Sequence, residues 1–112
     1  MKTTISIFLF IITFNVFGQK EVITTEFKVE GVCDECKKRI ENAATIKGVK
    51  FVSWDKETET IKIIYRTDKV KLQDIHKAIA NAGHDTGILK ASEEAYNKLP
   101  KCCEYRGGIH KH

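Results

Sequence analysis

Ile23, Thr25, Phe27 and Val29 alternate with Thr24, Glu26, Lys28 and Glu30, the period of a half-buried strand. Gly31 ends it. From Asp34 the period lengthens. Cys36, Ile40, Ala43 and Ala44 fall at i, i+4, i+7 and i+8, one face of a helix that Gly48 is expected to stop. A second strand is expected over residues 49–54, a turn over Asp55-Lys56-Glu57-Thr58, and a third strand over 60–65 with Ile61, Ile63 and Tyr65 on one face. Leu72, Ile75, Ile79 and Ala82 form the stripe of a second helix closed by Gly83, with His76 expected on its solvated polar face. Residues 86–90 read as a short last strand. The order β-α-β-β-α-β predicts an α+β, ferredoxin-like fold: a four-stranded antiparallel sheet with two helices on one face.

Beyond residue 91 the pattern predicts a short C-terminal helical tail. Ser92 is a suitable N-cap, Glu93 and Glu94 favour the first turn, and Pro100 follows Leu99 as a stop. After it come the adjacent pair Cys102-Cys103 and the run His110-Lys111-His112. Adjacent cysteines chelate one ion poorly unless the backbone turns, so ligands, a vicinal disulfide and free thiols stay open. A fold-back of the tail toward Cys33 and Cys36 is geometrically feasible, since a helix and two extended residues span the length of the last strand.

The first residues follow a different rule. Met1-Lys2 is a minimal positive start, and Ile5 to Phe17 is an almost unbroken apolar run of 13 residues, short of the ~20 that cross a bilayer. Val16-Phe17-Gly18 suits a cleavage site, so residues 1–18 are expected to be a signal peptide and the mature protein to be exported, to the periplasm or beyond. An oxidising compartment permits disulfides, and free thiols there call for a use.

The chain has 112 residues, 19 basic and 15 acidic, for a formal charge of +4. One small domain is the ceiling at this length. The charge excess is too slight for nucleic acid, and the third strand lacks the aromatics with which RNA-binding relatives of this fold stack bases. No Ser-His-Asp or paired-carboxylate arrangement suggests an enzyme.

Four cysteines in so short a chain change the picture. Cys33 and Cys36 lie where the first strand turns into the first helix. Two cysteines three apart across a helix N-terminus can aim both sulfurs at one atom, and the free N–H groups there favour thiolate. Such a pair suits soft ions: Cu(I), Hg(II), Cd(II), or Zn(II) with further ligands. Lys37, Lys38 and Arg39 beside it suggest an acidic docking partner.

With Gly31-x-Cys33-x-x-Cys36, Ile40, Gly48-Val49 and Ala82-Gly83 in register with these elements, the chain resembles the heavy-metal-associated (HMA) domain family. Copper chaperones, the N-terminal modules of metal-pumping ATPases and periplasmic mercury-binding proteins are members. The resemblance covers roughly seventy residues within a domain of 19–91, leaving 92–112 as a Cys/His-containing tail. It implies that Cys33 and Cys36 are the metal ligands, with no catalytic residue. His84, Cys102 and Cys103 are candidates for additional ligands. Two departures stand out. Val32 replaces the usual Met before the first cysteine, and His84 stands where Tyr, Phe or Lys is usual. The expected function is that of a soft-metal carrier or scavenger. Cu(I) is the leading ion and Hg(II), Zn(II) or Cd(II) the alternatives, with a membrane metal transporter or another metal-binding protein as partner. A thiol–disulfide redox protein and a disulfide-stabilised structural module are the competing readings.

Overall fold

The computed structural model describes residues 21–107. The expected signal peptide and the His110-Lys111-His112 run lie outside them. Three strands, β1 (Val22–Lys28), β2 (Val49–Asp55) and β3 (Thr60–Arg66), form an antiparallel sheet in the order β1-β3-β2. Two helices, α1 (Asp34–Ala44) and α2 (Leu72–Asn81), pack on each other, and α1 packs on β2. The β3 residues Ile61, Ile63 and Tyr65 join Ile40, Ile75, Ile79 and Trp54 in one buried cluster. The other sheet face is open and carries Glu26, Phe51, Ser53 and Lys62 around a shallow depression.

The expected fourth strand is corrected to a single bridge, Val29 with Thr86. The cause is local. The Thr86 N–H donates to the Leu89 carbonyl at 2.7 Å, and its hydroxyl oxygen accepts from the Leu89 N–H at 3.0 Å and the Ile88 N–H at 3.3 Å. A turn that ties these backbone groups to its own threonine and leucine cannot run on along β1 as a strand.

The helix ends matter for the site. Gly83, at φ 104°, closes α2 with its N–H on the Ala80 carbonyl (2.9 Å), while the His84 N–H reaches the Ile79 carbonyl (3.4 Å). This pair of bonds is a Schellman stop, and it fixes where His84 leaves the helix. Gly48 plays another part than the expected stop: α1 has already ended at Ala44, and Gly48, at φ 99°, lies where a Cβ would come within 2.8 Å of Lys69. Residues 92–107 of the tail fold onto the domain. Ser92 Oγ caps α3 (Glu93–Asn97) by accepting from the Ala95 N–H at 3.0 Å, and single 3-10 turns follow at Lys101–Cys103 and Tyr105–Gly107. Among the described residues no helix is long and apolar enough to cross a membrane.

Candidate metal centre

Cys33 is the N-cap of α1 and Cys36 lies in its first turn, so a strand-to-helix turn sets both sulfurs at the end of the helix where N–H groups are free. The Sγ atoms are 3.4 Å apart, and the Val32 N–H points at Cys36 Sγ, also at 3.4 Å. Gly31 makes the turn possible. A Cβ there would sit 3.0 Å from both Cys36 Cβ and the Trp54 ring. Trp54 is itself held by a 2.9 Å bond from its Nε1–H to the Val29 carbonyl, so the ring cannot yield easily.

The tail returns to this point. Cys103 Sγ lies 3.6 Å from Cys33 Sγ, and the sulfurs of Cys33, Cys36 and Cys103 all fall within 4.8 Å of one another. Cys33 Sγ also donates to the Cys102 carbonyl at 3.1 Å. All three clustered thiols are buried and free, while Cys102 is half-buried with its sulfur 4.0 Å from that of Cys103. Burial pushes the Cys36 and Cys103 thiols up. Burial acts on Cys33 in the same direction, but the backbone N–H of Cys36 and the neighbouring thiols outweigh it and hold Cys33 below a free thiol. Cys33 is therefore the sulfur most ready to carry negative charge.

The other expected donors lie elsewhere. Asp34 turns outward to Lys56 Nζ, 3.4 Å away. His84, a candidate additional ligand, is fully buried, and its Nδ1 lies 2.7 Å from the Glu30 carbonyl. A carbonyl only accepts, so Nδ1 carries the proton and Nε2 keeps its lone pair, buried without a partner. Burial, reinforced by the charge of Arg39 and only partly offset by the Glu30 bond, takes its pKa down from 6.5 to about 4. His84 is thus outside the sulfur cluster and braces the strand end that leads into Cys33. His76, expected to be solvated, is also buried: it stacks on Phe27 at 3.9 Å and shares a 2.8 Å hydrogen bond with Thr86 Oγ1. Its spacing of four from Leu72 and from Ala80 places it on the helix's inner stripe, a signal its polarity obscured.

The basic triplet is not one exposed patch. Lys37 Nζ is held by Glu41 at 2.6 Å and the Trp54 carbonyl at 2.8 Å, and Arg39 is half-buried, which leaves Lys38 exposed. The sequence also hid the residues that seat the tail. Tyr105 donates to the Gly83 carbonyl at 2.7 Å and accepts from the Asp85 N–H at 2.8 Å. Arg106 Nη2 reaches Asp85 Oδ1 at 2.7 Å and the Ala91 carbonyl at 2.8 Å, and its guanidinium lies 4.5 Å above the Tyr96 ring. The one available signal was two tyrosines and an arginine in a tail read for its helix and its cysteines.

The model of the heavy-metal-associated domain matches residues 26–85. No curated protein matches the chain. Among solved structures it is similar to a CopZ metallochaperone, at 29% identity over 57% of this chain and 98% of that one, with a TM-score of 0.55. It is similar to oxidised MerP from Ralstonia metallidurans CH34, at 26% identity over 60% and 96% of the two chains, TM-score 0.57. A copper binding domain from HMA7, a P-type ATPase, matches at 25% identity over 63% and 95%, TM-score 0.56.

Proposed function

The chain belongs to the heavy-metal-associated domain family, whose model spans more than half of it, and from that premise we propose that it is an exported carrier of a soft metal ion, held by Cys33 and Cys36 and passed on by ligand exchange. The observation that carries this reading is the buried thiol pair, 3.4 Å apart at the N-terminus of α1. Thiolates are soft donors, and among the described residues no carboxylate or imidazole joins the sulfur cluster, a donor set that favours Cu(I) and Hg(II) over Mg(II) or Ca(II). The likeness to a copper binding domain supports Cu(I), and Hg(II) is the alternative that the same soft pair accepts.

In this mechanism Cys33, the more acidic thiol, binds first, and Cys36 releases its proton as it follows. Transfer begins when a thiolate of the acceptor adds to the bound ion. Cys33 and Cys36 then leave one at a time, so that free ion is never released. His84 holds the loop through Glu30 and so preserves the spacing of the pair. The acceptor is a membrane metal transporter or another metal-binding protein, in keeping with the ATPase-derived domain that this fold matches. The apolar run 5–17 and the site at Gly18 support export of the mature protein.

Cys33→Ser with Cys36→Ser tests the reading. Under anaerobic competition with a Cu(I) chelator the double variant should lose tight binding while keeping the circular dichroism of the parent. Binding equal to the parent would show that the pair is not the site.

A further inference from the structure

We propose that the tail completes the metal site: Cys103 is a third thiolate ligand, and residues 92–107 are a latch that closes a two-sulfur carrier pair into a trigonal three-sulfur site for a soft ion such as Cu(I). This rests on the reading of Cys33 and Cys36 as ligands.

The sulfur geometry comes first. With metal–sulfur bonds of about 2.3 Å, a planar three-coordinate ion sets its sulfurs about 4.0 Å apart, whereas a linear two-coordinate ion sets them about 4.6 Å apart. Cys33 Sγ stands 3.4 Å from Cys36 Sγ and 3.6 Å from Cys103 Sγ, and the third edge of the triangle is within 4.8 Å. Small adjustments of side-chain rotamers reach the trigonal spacing. The linear one requires prising Cys33 and Cys36 apart inside a packed loop where Gly31 leaves no slack.

The second observation is how the tail is fastened. Its hydrogen bonds do not run to the cysteines alone. They converge on the loop from Gly83 to Ala91, through Tyr105 on Gly83 and Asp85 and through Arg106 on Asp85 and Ala91. Leu99 is buried against Gly83, and Tyr96 packs edge-on to Tyr105 at 5.1 Å. That loop is tied in turn to the start of the metal turn, through the Glu30 N–H on the Asp85 carbonyl at 2.9 Å and through His84 on Glu30. The hydrogen bonds of Tyr105 and Arg106 and the packing of Leu99 involve no sulfur ligand, so the tail has a seat that does not depend on an ion, and that seat fixes Cys103 beside Cys33.

The third observation is access. Cys33 is 5% exposed and Cys36 and Cys103 are fully buried. Ligand exchange needs an incoming thiolate to reach the ion, and the closed tail blocks that approach. The closed state therefore retains the ion with three sulfurs, and lifting the tail removes Cys103 and uncovers the pair in one motion. Cys102, half-buried and outside the triangle, is a neighbour and not a fourth corner.

The test uses the full mature chain loaded anaerobically with one equivalent of Cu(I). The parent is compared with Cys103→Ser, Cys102→Ser, Arg106→Ala, and the Cys33→Ser/Cys36→Ser pair. X-ray absorption counts the sulfurs, and chelator competition gives affinity and release rate. The parent and Cys102→Ser should show three sulfurs. Cys103→Ser should show two, with affinity lower by about tenfold or more and faster release. Arg106→Ala keeps every sulfur and should also speed release, which guards against a folding defect in Cys103→Ser. Two sulfurs in the parent, or Cys103→Ser and Arg106→Ala both equal to the parent, overturn the latch while leaving the Cys33–Cys36 site standing. Full binding by the Cys33→Ser/Cys36→Ser pair overturns the underlying reading instead.

Discussion

The Tyr105 hydroxyl donates a 2.7 Å hydrogen bond to the carbonyl of Gly83, which links the last turn of the tail to the stop signal of α2. The same oxygen accepts from the Asp85 N–H. Both backbone groups are buried at the end of the sheet that carries the cysteines, and burial keeps the phenol protonated, with its pKa pushed well above the usual tyrosine range. One side chain thus satisfies two backbone groups that the missing fourth strand would otherwise leave to water. The tail fills the gap left by a strand reduced to a bridge.

Tyr105→Phe should therefore cost more than its small change in shape suggests. It leaves a buried acceptor and a buried donor without partners, a loss of about 1–3 kcal/mol. The measurement is urea unfolding of the metal-free protein. A midpoint unchanged from the parent would mean that the tail contributes nothing to the stability of the domain.

Gly31→Ala tests the packing under the metal turn. Its Cβ would meet Cys36 Cβ and the Trp54 ring at 3.0 Å, and overpacking of this kind costs about 1–3 kcal/mol. Because Cys36 is one of the two atoms that must move, Cu(I) affinity should fall together with stability. Enlarging Gly107, where a Cβ meets nothing within 4 Å, should change neither. Equal affinity in Gly31→Ala and the parent would show that the turn tolerates a shifted Cys36.

How far these features were legible from the sequence follows from the range of the interactions. The three strands, both helices and the thiol pair rest on local periodicity and on glycines at turns, and the structure has each of them, with α1 ending at Ala44, short of the stop expected at Gly48. Residues 86–90 misled because Thr86, Ile88 and Leu89 have strand-like composition. Only the turn closed by the Thr86 hydroxyl, a choice between backbone partners, decides against the strand. His76 misled because a polar side chain was assigned to solvent, and His84 because a histidine at the cysteine end of the sheet was taken as a candidate ligand. Each is buried with a single partner distant in sequence, Thr86 and Glu30, that no local pattern reveals. The position of Cys103 depends on five or six contacts made across the fold, so chain length allowed the return of the tail without requiring it.

His84 gives the protein a dependence on acid. Its pKa is about 4 in the folded chain against 6.5 when unfolded. Above pH 6.5 both states hold it neutral, and the shift has no effect. As pH falls from 6.5 toward 4 the unfolded state takes up the proton first, so stability drops, by about 3 kcal/mol over the full window. His84→Phe should remove this slope, at a cost near neutral pH of about 1 kcal/mol for the lost bond to Glu30. His76, whose pKa burial also lowers, keeps its own share in both proteins. Parallel stability curves for parent and variant between pH 6.5 and 4.5 would place the acid sensitivity elsewhere.

Trypsin offers a direct reading of whether metal closes the tail. Lys98 and Lys101 are exposed, but a protease needs several residues around the cut in an extended form, so cleavage there reports opening of the tail and not mere exposure of a side chain. In the metal-free protein the tail is held by Tyr105, Arg106 and Leu99 and by the Cys33 thiol on the Cys102 carbonyl. Cu(I) bound by Cys103 adds a sulfur–metal bond that must break before Lys101 can enter the protease. The ion stays on Cys33 and Cys36 when the tail lifts, so loading lowers the open fraction by the ratio of the three-sulfur to the two-sulfur affinity, about tenfold or more. Cleavage after Lys101 should slow markedly on loading the parent chain, while a cut after Lys69, exposed in the turn that follows β3, serves as the internal reference. In Cys103→Ser the ion still binds the Cys33–Cys36 pair but no longer holds the tail, so loading should leave the rate at Lys101 unchanged. Protection of equal size in the two proteins would mean that metal stiffens the whole domain and that Cys103 has no share in the bond.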